Sequence, residues 1–184
     1  MLRCCAVLGA VLLAACAELP QQGVAETTAV FELTGRIVVR FQDRAFSSAL
    51  RWKRDAGGDE IWFTAPLGQT IAYLRADSGG ATLTAADQKQ YRAGSIESLT
   101  RSALGWRLPV AGMRNWVLGQ PAPGVVSATV ERDDASRITR FRQDDLQIAF
   151  SYADPGATRP SRIDVTGSEA ELRFVIDSLT ILQP

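Results

Sequence analysis

Apolar and polar residues alternate along most of the chain from Phe31 onward. In two consecutive stretches every second side chain is apolar, at Ile37, Val39, Phe41, Leu50 and Trp52. A period of two is typical of a β-strand with one face toward an apolar interior and the other toward water. The alternation therefore predicts that the folded chain consists largely of antiparallel strands.

Short turns that contain glycine separate these alternating stretches. Gly57-Gly58 and Gly79-Gly80 each stand between two of them, and residues 65–69 (APLGQ) stand between the stretches that carry Phe63 and Ile71. Glycine pairs and nearby proline and glycine residues favour tight turns. Neighbouring strands are therefore predicted to pair with each other as a meander.

The middle of the chain follows a helical period instead. Ser95 can cap a helix whose apolar residues recur every three or four positions, and Gly105 can end it. A second helix is predicted to begin near Pro109, where the missing N–H costs nothing, and to end at Gly119. Both helices are expected to cover one face of the sheet.

Together these segments predict a mainly β (α+β) domain, and the strand pattern returns over residues 125–179. We expect about ten or eleven strands in a single curled antiparallel sheet, with two or three helices across its open side. Alternation places one set of large apolar side chains on the concave face: Ile37, Val39, Phe41, Leu50, Trp52, Phe63, Ile71 and Tyr73. Such a face is either a packed core or a ligand cavity, and the pattern alone leaves both interpretations open.

The composition limits the chemistry that this domain can perform. The chain has 184 residues, 20 Lys plus Arg against 20 Asp plus Glu, and no histidine. Without histidine, neither a Ser-His-Asp or Cys-His nucleophile nor a His-ligated zinc site can be built. A net charge of zero provides no general attraction to nucleic acid. Accordingly, no metal, cofactor or nucleic-acid partner is predicted.

The N-terminal segment has the features of a secretory signal. Residues 1–15 combine a short positive start, an apolar run and small residues, and the run is well below the ~20 residues that a transmembrane helix needs. Leu13-Ala14-Ala15-Cys16 resembles the bacterial lipobox, in which the cysteine is acylated and becomes the first mature residue. By resemblance to proteobacterial lipoproteins, Ala17 in place of aspartate at the next position implies delivery to the outer membrane. Residues 16–30 are predicted to be the acylated cysteine and a tether, and residues 31–184 the folded domain.

Four further segments follow the lipobox and carry a family resemblance together with it. They are Gly35-Arg36, Ala49-Leu50-Arg51-Trp52, Ala65-Pro66-Leu67-Gly68, and residues 113–121 (MRNWVLGQP), which are similar to an R-x-W-[IV]-x-G-x-P pattern. In this order the five segments resemble the LolB family of outer-membrane lipoprotein receptors, which end the lipoprotein-sorting pathway of Gram-negative bacteria. The chain departs from the family in its short tether and trimmed turns, which leaves the number of strands open.

The resemblance implies an unclosed β-barrel in which helices form a lid over a hydrophobic cavity. That cavity would hold the acyl chains of a client lipoprotein, and Met113 and Trp116 would line it together with the concave residues named above. Pro66-Leu67-Gly68 would form a loop that enters the membrane. The periplasmic carrier LolA would hand over its cargo, and this protein, acting as a monomer, would insert the cargo into the lipid of the inner leaflet of the outer membrane.

Two other classes of protein remain open on the residues alone. One is an outer-membrane scaffold or assembly lipoprotein whose apolar face is only a core. The other is an enzyme that uses carboxylates such as the pairs Asp133-Asp134 and Asp144-Asp145. Both pairs lie in polar stretches where aspartate is common for its turn chemistry, so neither pair is expected to be catalytic.

Overall fold

The computed structural model describes residues 29–123 and 129–182, and within them one antiparallel sheet accounts for every strand. The predicted signal peptide, Cys16 and the tether up to residue 28 lie outside the described residues. The strands are β1 (Val30–Phe41), β2 (Arg44–Asp55), β3 (Gly58–Thr64), β4 (Thr70–Asp77), β5 (Gly80–Ala85), β6 (Gln90–Ala93), β7 (Val130–Arg132), β8 (Ile138–Gln143), β9 (Leu146–Ser151), β10 (Arg162–Thr166) and β11 (Ala170–Leu182). Two helices, α1 (Ile96–Leu104) and α2 (Val110–Trp116), lie between β6 and β7 in the chain.

The strand order is β6-β5-β4-β3-β2-β1-β11-β10-β9-β8-β7. The first and last strands of this order do not pair with each other in the described part of the chain, so the sheet stays unclosed. The long strand β1 pairs with β2 on one side and β11 on the other, which joins the two meanders into a single sheet. The prediction of one large antiparallel sheet with helices is confirmed.

Successive strands run in opposite directions, so their turns collect at two ends of the sheet. We call one of them the open end; it carries the turns at residues 42–43, 65–69 and 144–145. We call the opposite end the closed end; it carries Val30 and Leu182, which pair with each other. The described chain therefore starts at the end of the sheet that lies opposite Leu67.

Helix α1 forms where its caps predict it. The Ser95 side chain accepts a hydrogen bond from the Ser98 N–H, and the Ser98 hydroxyl accepts one from the Ser95 N–H. Gly105 ends the helix at φ +88°, in the left-handed region, and a Cβ there would lie 3.2 Å from the Phe41 ring. Both the conformation and the close approach therefore require glycine.

Helix α2 begins as predicted after Pro109 but is shorter than the sequence predicts. It ends at Trp116 and not at Gly119. The N–H groups of Leu118 and Gly119 donate to carbonyls only three residues earlier, at 2.9 Å each. The last turn is thus tightened, and the left-handed φ of +80° at Gly119 turns the chain away from the helix.

Candidate functional site

Two cavities lie on the concave side of the sheet, next to the helices. The first, which we call the apolar cavity, has a volume of about 530 Å³ and lies between the open-end halves of β1–β5 and helix α1. Its apolar lining includes Ile37, Val39, Phe41, Phe46, Phe63, Ile71, Ala72, Leu74, Leu83, Ala103, Leu104, Trp106 and Leu108. It is a concave and largely apolar space that the protein's own side chains leave unfilled.

Five of the ten residues predicted to line the acyl-chain cavity border the apolar cavity. They are Ile37, Val39, Phe41, Phe63 and Ile71. Leu50, Trp52 and Met113 are also buried, but they belong to the packed core and do not border the apolar cavity. Trp116 borders the second cavity instead. The concave face is thus a core over part of its length and a cavity over the rest.

The assignment of Tyr73 to the cavity is wrong. Its ring lies 5.2 Å from the Trp62 ring, outside the lining, and its hydroxyl donates to Glu60. Partial burial and the hydrogen bond to Glu60 raise the pKa of Tyr73 to about 12. The physical reason is a β-bulge: Thr64 pairs with Thr70 while Phe63 pairs with Ala72, which leaves Ile71 as an extra residue.

The bulge changes which residues of β4 face inward. Ala72 and Leu74 take the concave positions that simple alternation gave to Tyr73. The tyrosine then lies on the convex face beside Trp62, and the Arg51 guanidinium lies 5.4 Å from that indole ring. One inserted residue is therefore enough to reverse the face on which a side chain lies.

Exposed apolar side chains surround the apolar cavity at the open end. Phe46, Tyr91 and Leu104 line the cavity and are also solvent-exposed. The alternation in β2 could have predicted that Phe46 lies on the concave face, because it has the same phase as Leu50 and Trp52. Trp106 follows the stop signal of α1, where no periodicity predicted a buried residue.

Leu67 lies in the turn between β3 and β4, near this rim, and is 91% exposed. The turn is closed by two backbone hydrogen bonds, from Ala65 N–H to the Gln69 carbonyl at 2.8 Å and from Gly68 N–H to the Ala65 carbonyl at 2.9 Å. Gly68 has φ +83°, which suits glycine, while Pro66 has no N–H to donate. The short closed turn leaves the Leu67 side chain in solvent.

A buried ionic cluster holds α2 onto the closed end of the sheet. Asp59 is fully buried and accepts a hydrogen bond from Trp52 Nε1 at 2.9 Å. It also accepts from Arg54 at 3.2 Å and from Arg114 of α2. Because one carboxylate joins two strands and a helix, α2 is fixed against β2 and β3.

Helix α1 packs Ile96 and Leu99 into the core, and its polar links are weaker than those of α2. The Thr100 hydroxyl accepts a hydrogen bond from the Leu108 N–H at 2.9 Å, and the Glu97 carboxylate accepts one from the Ala111 N–H at 2.9 Å. Arg101 pairs with Glu169 at 2.7 Å, and both side chains are largely exposed. Exposed pairs of this kind contribute little to stability.

The second cavity, which we call the amphipathic cavity, has a volume of about 860 Å³ and lies between the helices and β8–β11. Its apolar walls include Trp106, Trp116, Leu146, Val165 and Leu172. Four carboxylates and two guanidinium groups also line it: Glu97, Asp144, Asp145, Glu169, Arg101 and Arg107. Trp106 borders both cavities.

The aspartate pairs lie in turns, as the sequence predicts. Asp133 accepts hydrogen bonds from the N–H groups of Ala135 and Arg137, and the Arg137 guanidinium lowers the pKa of this carboxyl. Asp144 and Asp145 form the turn between β8 and β9. Over residues 29–123 and 129–182, no cluster of acidic, cysteine or histidine side chains could hold a metal ion. In the same ranges no helix is long and apolar enough to cross a bilayer.

The fold and these cavities define a half-barrel protein with an unfilled apolar interior, and comparison with known proteins identifies its family. The family model described as "Outer membrane lipoprotein LolB" matches residues 29–178. A protein named Outer-membrane lipoprotein LolB from Nitrosomonas europaea is 34% identical over 151 residues, which cover 80% of this chain and 71% of the relative. The protein of that name from Thiobacillus denitrificans is 37% identical over 147 residues, covering 79% and 77%. The chain therefore belongs to the LolB family of outer-membrane lipoproteins, and the family resemblance predicted from the sequence is confirmed.

Among solved structures, a DUF1329 family protein from Desulfovibrio piger aligns with 85% of this chain and 87% of its own, at 10% identity and a TM-score of 0.48.

Proposed function

We propose that this protein accepts lipoproteins from the periplasmic carrier LolA and inserts them into the inner leaflet of the outer membrane. The client's acyl chains occupy the apolar cavity during this transfer. The observation that carries the proposal is the unfilled cavity itself, since a protein interior normally closes around its own side chains. A scaffold that uses its apolar face only as a core has no need of such a space.

The size of the cavity suits one acyl chain. A water molecule takes up about 30 Å³ of the liquid and a methylene group is of similar size, so about 530 Å³ has room for about one long chain. A client with two or three chains needs more space. Outward movement of the C-terminal half of α1 provides it, because this helix covers the cavity as a lid and its polar links to the rest of the protein are few and partly exposed.

The start of the chain, which lies outside the described residues, supplies the anchor in this proposal. Residues 1–15 are removed as a signal peptide, Cys16 is acylated, and the segment up to residue 30 tethers the folded domain on the periplasmic side of the membrane. Strand β1 begins at Val30, the last residue of the predicted tether. The intact mass of the mature protein tests this arrangement: we expect Cys16 to carry the lipid.

The turn that carries Leu67 contacts the bilayer. Its exposed leucine lies at the open end, near the rim formed by Phe46, Tyr91 and Leu104, so a chain leaving the cavity meets the membrane that the turn touches. Burial of one leucine is worth ~1.5–3 kcal/mol, which is too little to anchor a protein but enough to orient one that is already tethered.

Binding of a fluorescent fatty acid to the mature chain carrying Cys16→Ala tests the cavity. We expect saturable binding that Phe46→Asp weakens at least tenfold, since a solvated carboxylate in the wall must be desolvated when a chain enters. Ser47→Asp is the matched control, because Ser47 is its exposed neighbour on the strand and does not line the cavity. Equal weakening by both variants, or no saturable binding at all, would overturn the proposal.

Recovery of the protein from cells gives an independent test. Copurification of acylated lipoproteins supports the receptor. A stoichiometric protein partner without any bound lipid would instead support a scaffold.

A further inference from the structure

Two buried carboxamide side chains line the amphipathic cavity. Asn115 of α2 is 4% exposed, and Gln143, the last residue of β8, is 6% exposed. Buried amides normally have hydrogen-bond partners for both their oxygen and their nitrogen. The partners of these two side chains are incomplete.

Gln143 uses only its oxygen. Its Oε1 accepts from Trp116 Nε1 at 3.1 Å and from the Ala122 N–H at 3.0 Å, which fixes the orientation of the amide. No acceptor for its Nε2 is found among the described residues, and this atom keeps some accessible surface. Since Gln143 borders the amphipathic cavity, its NH₂ group is available there as a donor.

The Asn115 side chain has no hydrogen-bond partner in the described ranges, although its backbone carbonyl accepts from Leu118 and Gln120. Its amide also borders the amphipathic cavity and keeps some accessible surface. The cavity thus offers two NH₂ donor groups, from Gln143 and Asn115, and one carbonyl acceptor, from Asn115. Both side chains are more than nine-tenths buried. Such groups cost free energy on folding unless a ligand or water satisfies them.

The charges around this cavity favour a neutral polar ligand over an anion. Its four carboxylates outnumber its two guanidinium groups, and Arg101 is already paired with Glu169. A phosphate would therefore meet net repulsion. A peptide backbone carries no charge, and its C=O and N–H groups match the donors and the acceptor of a carboxamide.

The two cavities adjoin at Trp106, which lines both. An acylated lipoprotein has the same layout, because its acyl chains are followed directly by a peptide. We propose that the amphipathic cavity binds the backbone of the first residues that follow the client's acylated cysteine, through Asn115 and Gln143. This inference rests on the proposed function. Because the proposed contacts are made only to backbone groups of the client, the cavity can bind clients of different sequence.

The experiment compares two synthetic ligands on the mature chain carrying Cys16→Ala. One is triacylated cysteine whose carboxyl group is capped as a methylamide. The other is the same triacylated cysteine followed by the peptide Ser-Ser-Asn-Ala. Displacement of a fluorescent fatty acid gives both affinities. We expect the longer ligand to bind about fivefold more tightly for each backbone hydrogen bond that it adds. A version of the longer ligand with N-methylated peptide groups should lose the donors and much of this difference.

Asn115→Leu should abolish most of the advantage of the longer ligand and leave fatty-acid binding unchanged. Because the native amide has no partner, a leucine of similar shape should not lower the urea midpoint of unfolding. Gln120→Leu is the matched control, since Gln120 is an exposed amide outside the cavity lining. It should keep the advantage in full.

The outcomes separate the two proposals. If neither ligand binds, the proposed function fails. If both bind equally well to the native chain, or if Asn115→Leu keeps the advantage, only the backbone site is overturned. A lower urea midpoint for Asn115→Leu would assign the amide a structural role and overturn it too. Loss of the advantage on adding lysophosphatidylglycerol, without displacement of the fatty acid, would assign the cavity to a lipid headgroup instead.

Discussion

The closed end and the open end of the concave face are built from the same strands but differ in what fills them. Strand β1 contributes the fully buried Phe31 and Leu33 to the closed end, and Val39 and Phe41 to the apolar cavity. At the closed end the Phe31 and Trp52 rings meet edge to face at 5.0 Å. At the open end equivalent positions of the same strand border unfilled space.

The difference lies in how each helix is attached. Asp59 joins α2 to β2 and β3 at the closed end through a fully buried carboxylate. Helix α1 packs Ile96 and Leu99 into the core, but its polar links at the open end are single hydrogen bonds and one exposed ion pair. Stability is therefore concentrated at one end of the sheet and the capacity to bind at the other, and substitutions should separate the two.

The largest effect is expected at the closed end. Asp59→Ala leaves two guanidinium groups and the Trp52 N–H without their shared acceptor, so the free energy of unfolding should fall by ~3–5 kcal/mol. Urea unfolding followed by tryptophan fluorescence measures it. Asp43→Ala in the exposed turn at residues 42–43 of the open end is the control, and removal of this turn carboxylate should change stability by only ~0.5 kcal/mol or less. Equal losses in both variants would contradict the division between the ends.

Sequence patterns predicted the strands, both helix starts and the apolar concave face because these depend on local period and caps. Ser95, Gly105 and Pro109 lie where their local signals place them. The β4 bulge was not predictable from alternation, since a bulge depends on pairing between strands, and it moved Tyr73 to the convex face.

The division of the concave face into core and cavity could also not be predicted from the sequence pattern. Leu50 and Phe63 have the same pattern, yet only Phe63 borders the apolar cavity. Whether each of these side chains packs against other side chains or borders unfilled space depends on where the helices lie. The position of the helices is a tertiary property that the local pattern does not encode. Asp59 shows the same limit, because an acidic residue directly after Gly57-Gly58 reads as part of an exposed turn and not as a buried acceptor.

A smaller effect of opposite sign is expected from filling the open end. Ala72→Leu adds apolar volume next to the apolar cavity, so stability should rise by ~0.5–2 kcal/mol while fatty-acid affinity falls severalfold. Ala49→Leu makes the same change on an exposed, convex position of β2 and should alter neither quantity appreciably. A loss of stability with unchanged binding would mean that this end is already packed.

Leu67→Glu should have the smallest effect on stability and a selective effect on delivery. The side chain is 91% exposed and contacts no core, so the urea midpoint should stay within error of the native value and cargo should still pass from carrier to receptor. Delivery from receptor to liposomes should slow, because a carboxylate at the tip of the turn replaces a leucine whose burial among acyl chains is worth ~1.5–3 kcal/mol.

Gln69→Glu adds the same charge to the same exposed turn without removing the leucine, so it separates repulsion from lost apolar contact. The two steps are scored separately, with purified carrier as donor and then liposomes as acceptor. Equal delivery by Leu67→Glu and the native chain would show that the open end meets the membrane through the rim of Phe46, Tyr91 and Leu104 or not at all, and a defect confined to the first step would assign the turn to the carrier.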